Sequence, residues 1–174
     1  MDLLKIHDDV LESSDFKHLE DIFCGGRSTF PWHYTQVVDP SDDGSCEEVY
    51  NFQLAHVFYM EERPYQWFDL VMPILKKLEV RSLIRIKANL LVRNSKIIQH
   101  GFHTDNTFNE ATTAIYYVNS NNGYTEFEDG TKVESVANRL VTFPSSVKHS
   151  GTTCTNSPTR IVINFNYHPN KRPS

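Results

Sequence analysis

The chain has 174 residues, a net charge of −5 and a pI near 5.9. That length suffices for one well-buried core but not comfortably for two, and an acidic balance with no dense run of Lys or Arg argues against generic nucleic-acid binding. Cys24, Cys46 and Cys154 are odd in number, widely spaced and in no CxxC pair, so neither a disulfide framework nor a thiolate metal site is indicated and a reducing cytoplasm fits best.

The N-terminus has no apolar core of signal-peptide length, and nothing later approaches a membrane span. Leu3, Leu4, Val10, Leu11, Phe16, Leu19, Ile22 and Phe23 recur near helical spacing behind Asp2, Asp8 and Asp9, so one or two short helices are expected to open the chain, stopped at Gly25-Gly26. Phe30 to Val38 is aromatic and β-branched and reads as a strand. Asp39 to Ser45 is a solvated loop by composition, and Tyr50 to Tyr59 reads as a second strand. Trp67 to Leu78 has the helical period, with Pro73 marking a boundary or kink, and is expected to be the main helix on a sheet.

From Ser82 the texture changes to short apolar runs between turn residues. Strands are expected at Leu83–Val92, Ile97–His103, Thr112–Val118, Tyr124–Glu128, Thr131–Val136, Arg139–Phe143, Val147–Thr152 and Arg160–Tyr167. Eight strands on two sheets make a double-stranded β-helix, the cupin-like jelly roll, in a mainly β fold with flanking helices. The expected organisation is a single domain over residues 1–174, with 1–81 as helical and edge-strand support and 82–168 as the jelly-roll core. Asn170 to Ser174 reads as a frayed tail.

Eight histidines and 22 acids would produce about one His-x-acid pair by chance, so such a pair means little without its local structure. Three occur. His7–Asp9 and His18–Glu20 fall in the expected N-terminal helices, where residues two apart diverge, and read as solvated helix faces. His103–Asp105 falls at the end of an expected strand, where residues two apart project to one side and can chelate. His149, on a late strand that jelly-roll folding can bring opposite, is the candidate third ligand. Two imidazoles and a carboxylate on one face of an octahedron leave three positions free, which suits non-haem Fe(II) binding a chelating co-substrate and dioxygen. The competing reading is two unrelated histidines at strand ends. Arg160 opens the apolar strand Arg160 to Phe165 and needs a partner for its permanent charge: either a bound dicarboxylate or an internal acid.

Taken together, His103-x-Asp105, the Ile115-Tyr116-Tyr117 strand, the Asn138 to Phe143 strand, His149 and Arg160 resemble the Fe(II)/2-oxoglutarate-dependent oxygenases, especially their prolyl-4-hydroxylase-like branch. The run Asn119 to Gly130, with Phe30-Pro31-Trp32 upstream, is also similar to small uncharacterised members from bacteriophages and marine bacteria. The clear match covers Arg85 to Tyr167, about half the chain. The resemblance implies His103, Asp105 and His149 as iron ligands, Arg160 on the distal carboxylate of 2-oxoglutarate, and Tyr117 touching the same carboxylate. Thr113, on the same strand face, is a second candidate contact, and Asn89 and Asn164 are candidate polar contacts in the pocket. The implied cofactors are Fe(II), 2-oxoglutarate as co-substrate and O2, with ascorbate as an accessory reductant. The implied reaction hydroxylates a substrate C–H bond and releases succinate and CO2. The substrate would be a protein, a peptide or a small molecule, with peptidyl proline favoured and a nucleobase open for a phage-like member, which would work in the host cytoplasm. Collagen-type prolyl hydroxylases usually carry lysine at the position of Arg160 and often a double glycine where this chain has only Gly123, a departure that bears on the substrate.

The rival class is a cupin-like metal-binding isomerase, with His100, His103 and His149 as ligands, or a ligand-binding module without catalysis. His100 and His103 are three apart and face opposite sides of a regular strand, which disfavours that triad. Trp32, Tyr34, Tyr59 and Trp67, with the loops Pro40–Ser45 and Asn106–Glu110, are candidates for the outer pocket.

Overall fold

The structure is a computed structural model that describes residues 4–25, 29–36, 38, 47–105, 108 and 110–170. The expected loop at Pro40–Ser45, Cys46, most of Asn106–Glu110 and residues 171–174 of the expected tail lie outside the described residues. In chain order the elements are β1 (Lys5–His7), α1 (Ser13–Cys24), β2 (His33–Thr35), a 3-10 turn (Glu48–Tyr50), β3 (Gln53–Met60), β4 (Arg63–Pro64), a 3-10 turn (Phe68–Val71), α2 (Met72–Leu75), β5 (Val80–Val92), β6 (Thr112–Tyr117), β7 (Tyr124–Phe127), β8 (Lys132–Glu134), β9 (Arg139–Pro144), β10 (His149–Gly151) and β11 (Thr159–Pro169). The major sheet has the order β1-β9-β6-β11-β5-β3-β2, with β4 on β3, and the minor sheet has the order β10-β7-β8. The protein is a jelly roll, mainly β with flanking helical segments.

Alternation along the central strands explains why the sheet has two chemically different faces. Ile161, Ile163, Phe165 and Tyr167 of β11 and Ile86, Ala88 and Leu90 of β5 enter one core, together with Leu19 and Phe23 of α1 and the aromatic group Phe30, Phe58 and Trp32. Arg160, Val162, Asn164 and Asn166 of β11, and Arg85, Lys87 and Asn89 of β5, occupy the alternate positions. Ile115, Tyr117, Val141, Phe143 and Val162 on that second face pack against Phe127 and Val133 of the minor sheet. The polar cleft lies where this sandwich opens.

The sequence expectations need four corrections. The front of the chain is not helical throughout: Lys5, Ile6 and His7 pair with Thr142, Val141 and Leu140, because an edge of β9 is available, so His7–Asp9 is no helix face, whereas His18 and Glu20 do lie in α1. The segment Trp67–Leu78 is a 3-10 turn followed by one α turn, with Pro73 at its start; a proline suits a first helical turn and leaves no long helix around it. The main helix is α1, where Phe16, Leu19, Ile22 and Phe23 follow the helical spacing. Phe30–Val38 contributes only His33–Thr35 as strand, and Val37 lies outside the described residues. Ile97–His103 is not a strand but carries two isolated bridges, Gln99 to Thr152 and His103 to His149. It has one residue more than the opposing stretch between those bridges, a bulge that breaks the ladder.

Asn138 ties the N-terminal segment to the sheet. Its Oδ1 accepts from the Leu11 amide (2.9 Å) and the Tyr116 hydroxyl (2.8 Å), its Nδ2 donates to the Leu11 carbonyl (2.9 Å), and its backbone carbonyl accepts from Val10 (3.1 Å). Its φ of 63° is a left-handed conformation that Asn adopts more readily than most residues. Nearby, Arg139 donates Nε to Asp8 Oδ1 (2.6 Å) and an amine to Oδ2 (3.0 Å). Asn138→Ala removes three side-chain hydrogen bonds and leaves buried groups unpaired, so the expected loss is about 2–4 kcal/mol in urea-induced unfolding. A loss below about 0.5 kcal/mol, the range of an ordinary surface substitution, would show that this network does not fasten the segment.

Candidate metal and co-substrate site

His103 and His149 are an antiparallel pair: the His103 amide donates to the His149 carbonyl and the His149 amide to the His103 carbonyl, both at 3.0 Å. That pairing sets the two imidazoles on one side, with ring centroids 4.8 Å apart. Each ring is turned by its own backbone, since Nδ1 of His103 lies 3.2 Å from the Gly101 carbonyl and Nδ1 of His149 lies 3.3 Å from the Val147 carbonyl. A carbonyl can only accept, so Nδ1 carries the proton in both contacts and Nε2 is left with a lone pair. Phe143 and Phe127 flank the His149 ring at 4.9 and 6.2 Å. Asp105 closes the group, with Oδ2 3.9 Å from Nε2 of His149. One ligand atom from each of the three lies within 4.8 Å of the other two.

The Asp105 side chain is 2% exposed. It is held by Arg85 (3.3 Å, to Oδ1), the Thr113 hydroxyl (3.1 Å, to Oδ2) and the Asn166 amide (3.0 Å, to Oδ2). Burial by itself would push this carboxyl up, but the electrostatic pull of its surroundings at His149, Arg85 and His103, together with the Asn166 hydrogen bond, outweighs it and lowers the pKa. The donor set is thus two imidazole nitrogens and an ionised oxygen without a thiolate, which fits a divalent iron with open positions.

At the other end of the cleft Arg160 is 2% exposed. Its Nε donates to Ser135 Oγ (2.8 Å), one amine donates to Thr125 Oγ1 (3.1 Å), and the guanidinium lies 5.7 Å from the centroid of the Tyr117 ring. Among the described residues no carboxylate lies within ion-pair distance of it, so the internal-acid alternative raised by the sequence finds no partner there. Burial pulls the guanidinium pKa down, yet such a group stays charged. Arg160, Thr125, Gly151, Asn164, Asn89, Arg85, Lys87 and the three metal-site residues line one narrow cleft of about 50 Å³.

The placements refine the sequence reading. Asp105 does not owe its position to strand alternation, because it sits in a bend after the His103 bridge and is oriented by its three donors. Thr113 serves Asp105 rather than the Arg160 end of the cleft. Tyr117 is fully buried, donates its hydroxyl to Thr125 Oγ1 at 2.8 Å, and has its pKa raised by burial against the pull of Arg160; the hydroxyl that lines the cleft is that of Thr125. Asn89 and Asn164 both reach the cleft, each with a buried Oδ1 that has no hydrogen-bond partner among the described residues. His100 lines the cleft with Nδ1 3.1 Å from the Gly151 carbonyl, outside the metal group. Trp32 packs in the helix-side core, while Tyr34 and Trp67 are exposed. Sequence reasoning did not single out Arg85, Asn166, Thr125 or Ser135. The available signal was the polar residue at every second position of Arg85-Ile86-Lys87-Ala88-Asn89 and of Arg160 to Asn166.

Residues 93–168 match the profile described as the 2OG-Fe(II) oxygenase superfamily. None of the curated proteins matches the chain. Among solved structures, the chain is similar to a prolyl hydroxylase from Trichoplax adhaerens in complex with a hypoxia inducible factor peptide fragment (13% identity, 95% of this chain and 83% of that one, TM-score 0.63). It is also similar to a viral collagen prolyl hydroxylase from Paramecium bursaria Chlorella virus-1 in its 2-oxoglutarate complex (13% identity, 97% of each chain, TM-score 0.57). A third similar structure is the non-haem alpha-ketoglutarate-dependent epimerase SnoN from nogalamycin biosynthesis (11% identity, 95% of this chain and 78% of that one, TM-score 0.63). At such identities these structures speak for the fold, and the profile match covers the segment that carries His103, Asp105, His149 and Arg160. Residues 93–168 thus match the 2OG-Fe(II) oxygenase superfamily, and the chain has a prolyl-4-hydroxylase-like fold, the setting in which iron(II)- and 2-oxoglutarate-dependent dioxygenases work.

Proposed function

We propose that His103, Asp105 and His149 hold the iron, that Arg160 binds the distal carboxylate of 2-oxoglutarate, and that the enzyme hydroxylates a C–H bond of a peptide, with peptidyl proline the first substrate to test. The observation that carries this reading is a buried guanidinium with no carboxylate partner among the described residues, facing the same cleft as a His-Asp-His group. Residues 1–174 act as one oxygenase domain in this proposal, because β2 and β3 continue the sheet on which Arg85, Asn89 and Arg160 stand.

When bound, iron and 2-oxoglutarate supply the oxidising chemistry that couples release of succinate and CO2 to hydroxylation. The chain's own residues orient and exclude. The Gly101 and Val147 carbonyls fix the imidazole tautomers, so Nε2 of each ring faces inward. Phe127 and Phe143 form the dry wall behind His149. Ser135 and Thr125 spend two of the five N–H groups of Arg160 on orientation, and three remain for a carboxylate. Tyr117 supports Thr125 and lies beside the guanidinium rather than on the co-substrate. The substrate approaches over a second groove, lined by Ala55, Val57, Met60, Tyr65 and Gln66, which shares Arg85 and Lys87 with the metal cleft. Support for a peptide comes from the similar prolyl hydroxylase described with a peptide fragment bound.

An anaerobic titration of the apo-protein with Fe(II) and 2-oxoglutarate should develop a visible charge-transfer band that saturates near one equivalent and is absent in Asp105→Ala and His149→Ala. A band of undiminished intensity in both variants would remove the triad from its role. Incubation with proline-containing peptides under O2 should then give a mass gain of one oxygen coupled to succinate; succinate without peptide oxidation would redirect the search to small molecules.

Gly123 tests the Arg160 subsite independently. A Cβ at Gly123 would stand 2.6 Å from Arg160 Cδ and 2.7 Å from the Thr153 carbonyl, so any larger residue displaces the arginine stem. Gly123→Ala should weaken 2-oxoglutarate binding about tenfold and Arg160→Ala about a hundredfold, as for loss of a charged hydrogen-bonded partner, with Fe(II) affinity nearly unchanged. Isothermal titration of the metal-loaded protein measures both, and an unchanged 2-oxoglutarate affinity in Arg160→Ala would move the carboxylate subsite elsewhere.

A further inference from the structure

The groove beside the metal cleft is lined by donors and, among the described residues, by no carboxylate. It crosses the sheet where β3 lies between its two short partners, since β2 pairs with Gln53 to Ala55 and β4 with Tyr59 and Met60. Ala55 and Val57 are its floor, Arg85 and Lys87 of β5 its inner rim, and His33 and Thr35 of β2 its outer rim. Lys87 stands opposite Val57, and His33 opposite Ala55. In a chain with 22 acids against 17 Lys and Arg, a wall of this sign is not what composition alone supplies. Arg85 gives one N–H to Asn166 and one to Asp105, and three of its five remain. Arg63 has only donors, so Tyr65 Oη accepts from its Nε and one amine, at 3.2 and 3.0 Å, and keeps its own proton to give. The Tyr65 amide donates to the Phe58 carbonyl at 2.8 Å, which fixes this residue at the edge of β3. Both ring nitrogens of His56 lie against carbonyls, Pro31 at 2.9 Å and Gln66 at 3.0 Å, so that ring presents no acceptor to the groove. Thr35 and Gln66 are its neutral polar members.

We propose that this groove receives an anionic side chain of the substrate, a Glu, an Asp or a phosphorylated residue, within about three positions of the oxidised one. The inference rests on the peptide reading above and narrows it to acidic peptides. Reach sets the spacing. Arg85 and Lys87 belong to both the groove and the metal cleft, so the two spaces adjoin. From β5 to β2 is two strand spacings, about 10 Å, which an extended chain covers in about three residues. An anion placed there meets charge-assisted hydrogen bonds from Lys87, Arg85 and the Tyr65 hydroxyl, each about twice as strong as a neutral one. A Lys or Arg in its place meets like charge. Two cations beside an apolar floor of Ala55, Val57 and Met60 suit one anion on a peptide rather than the repeating charges of a nucleic-acid backbone. The groove thus selects among proline-containing segments by their neighbours, a distinction the metal site cannot make.

The test is fluorescence anisotropy of labelled proline-containing peptides with the full chain, loaded anaerobically with Mn(II) and 2-oxoglutarate so that no turnover follows. One residue is set to Glu, phosphoserine, Gln or Lys and moved one place at a time along either side of the proline. At one place or more, the Glu or phosphoserine peptide is expected to bind about tenfold more tightly than its Gln counterpart, with the Lys peptide weakest and the advantage shrinking as salt is added. The order of Glu and phosphoserine tells a carboxylate from a phosphate. Tyr65→Phe removes one donor and is expected to cut the advantage severalfold. Lys87→Glu is expected to reverse it in favour of the Lys peptide, a change that misplaced structure alone does not produce. Circular dichroism and Mn(II) binding identify a variant that has lost its fold or its metal site, in which case the other decides. Equal affinities for the Glu, phosphoserine, Gln and Lys peptides at every place would overturn the inference and leave the peptide reading standing. If no peptide binds a protein that holds Mn(II) and 2-oxoglutarate, the peptide reading falls and this inference with it. Tighter binding of a single-stranded oligonucleotide than of any acidic peptide would overturn the choice of a peptide.

Discussion

The site depends on a two-bond backbone pairing between His103 and His149. Without it there is no ladder between the loop that follows β5 and the minor sheet at that point, because the bulge around Gly101 has interrupted the pairing that starts at Gln99. Two amide-to-carbonyl hydrogen bonds at 3.0 Å place the residues opposite each other, and opposite residues in an antiparallel pair keep their side chains on one side. Everything else at the metal end is orientation: carbonyls that choose a tautomer, phenylalanines that confine a ring, and donors that turn a carboxylate. Only the pairing decides that two side chains 46 positions apart meet at all.

The second constraint is the cost of a buried cation. An isolated guanidinium in an apolar sandwich would be expensive, and Arg160 is surrounded on its strand by Ile161, Val162 and Ile163. It is tolerated because its neighbours are hydroxyls, Thr125 of β7 and Ser135 just after β8, and because the Tyr117 ring offers its π face. Asp105 stands in a bend at the far end of the same cleft, where Arg85 offsets its charge, so Arg160 is the cleft's cation without an ion-pair partner among the described residues. A ligand with a carboxylate at one end and a metal-chelating group at the other matches the two ends of the cleft, the arginine and the His-Asp-His group.

How much of this is legible in the sequence follows from the range of each interaction. Periodicity within a strand is local, so β3, β5, β6, β9 and β11 are read nearly to their ends, and His103, Asp105, His149 and Arg160 stand out by residue type and spacing. What sequence reading misses is set by partners elsewhere. Lys5–His7 becomes a strand only because β9 has a free edge. Ile97–His103 has strand composition but loses its ladder to a one-residue mismatch with a segment 50 residues downstream. Thr113 lies on the face that its alternation implies, yet its contacts follow from Asn166 and Ser145. Arg85 escapes notice because one arginine among alternating apolar residues looks like a solvated edge until β11 brings Asn166 beside it.

Asn89 and Asn164 complete the argument about what the cleft can hold. Each carries a buried Oδ1 without a donor among the described residues, an arrangement that costs about 1–3 kcal/mol per group. A dicarboxylate cannot relieve it, since carboxylate and amide oxygens are both acceptors. The two amides can therefore meet such a ligand only through their NH2 groups, which leaves their oxygens for a donor that a keto acid does not have. A main-chain N–H or a hydroxyl on a second ligand does have it. Among the donor side chains Arg85, Lys87 and Arg160 of the cleft, the two amide oxygens are thus the places for a partner that brings its own protons.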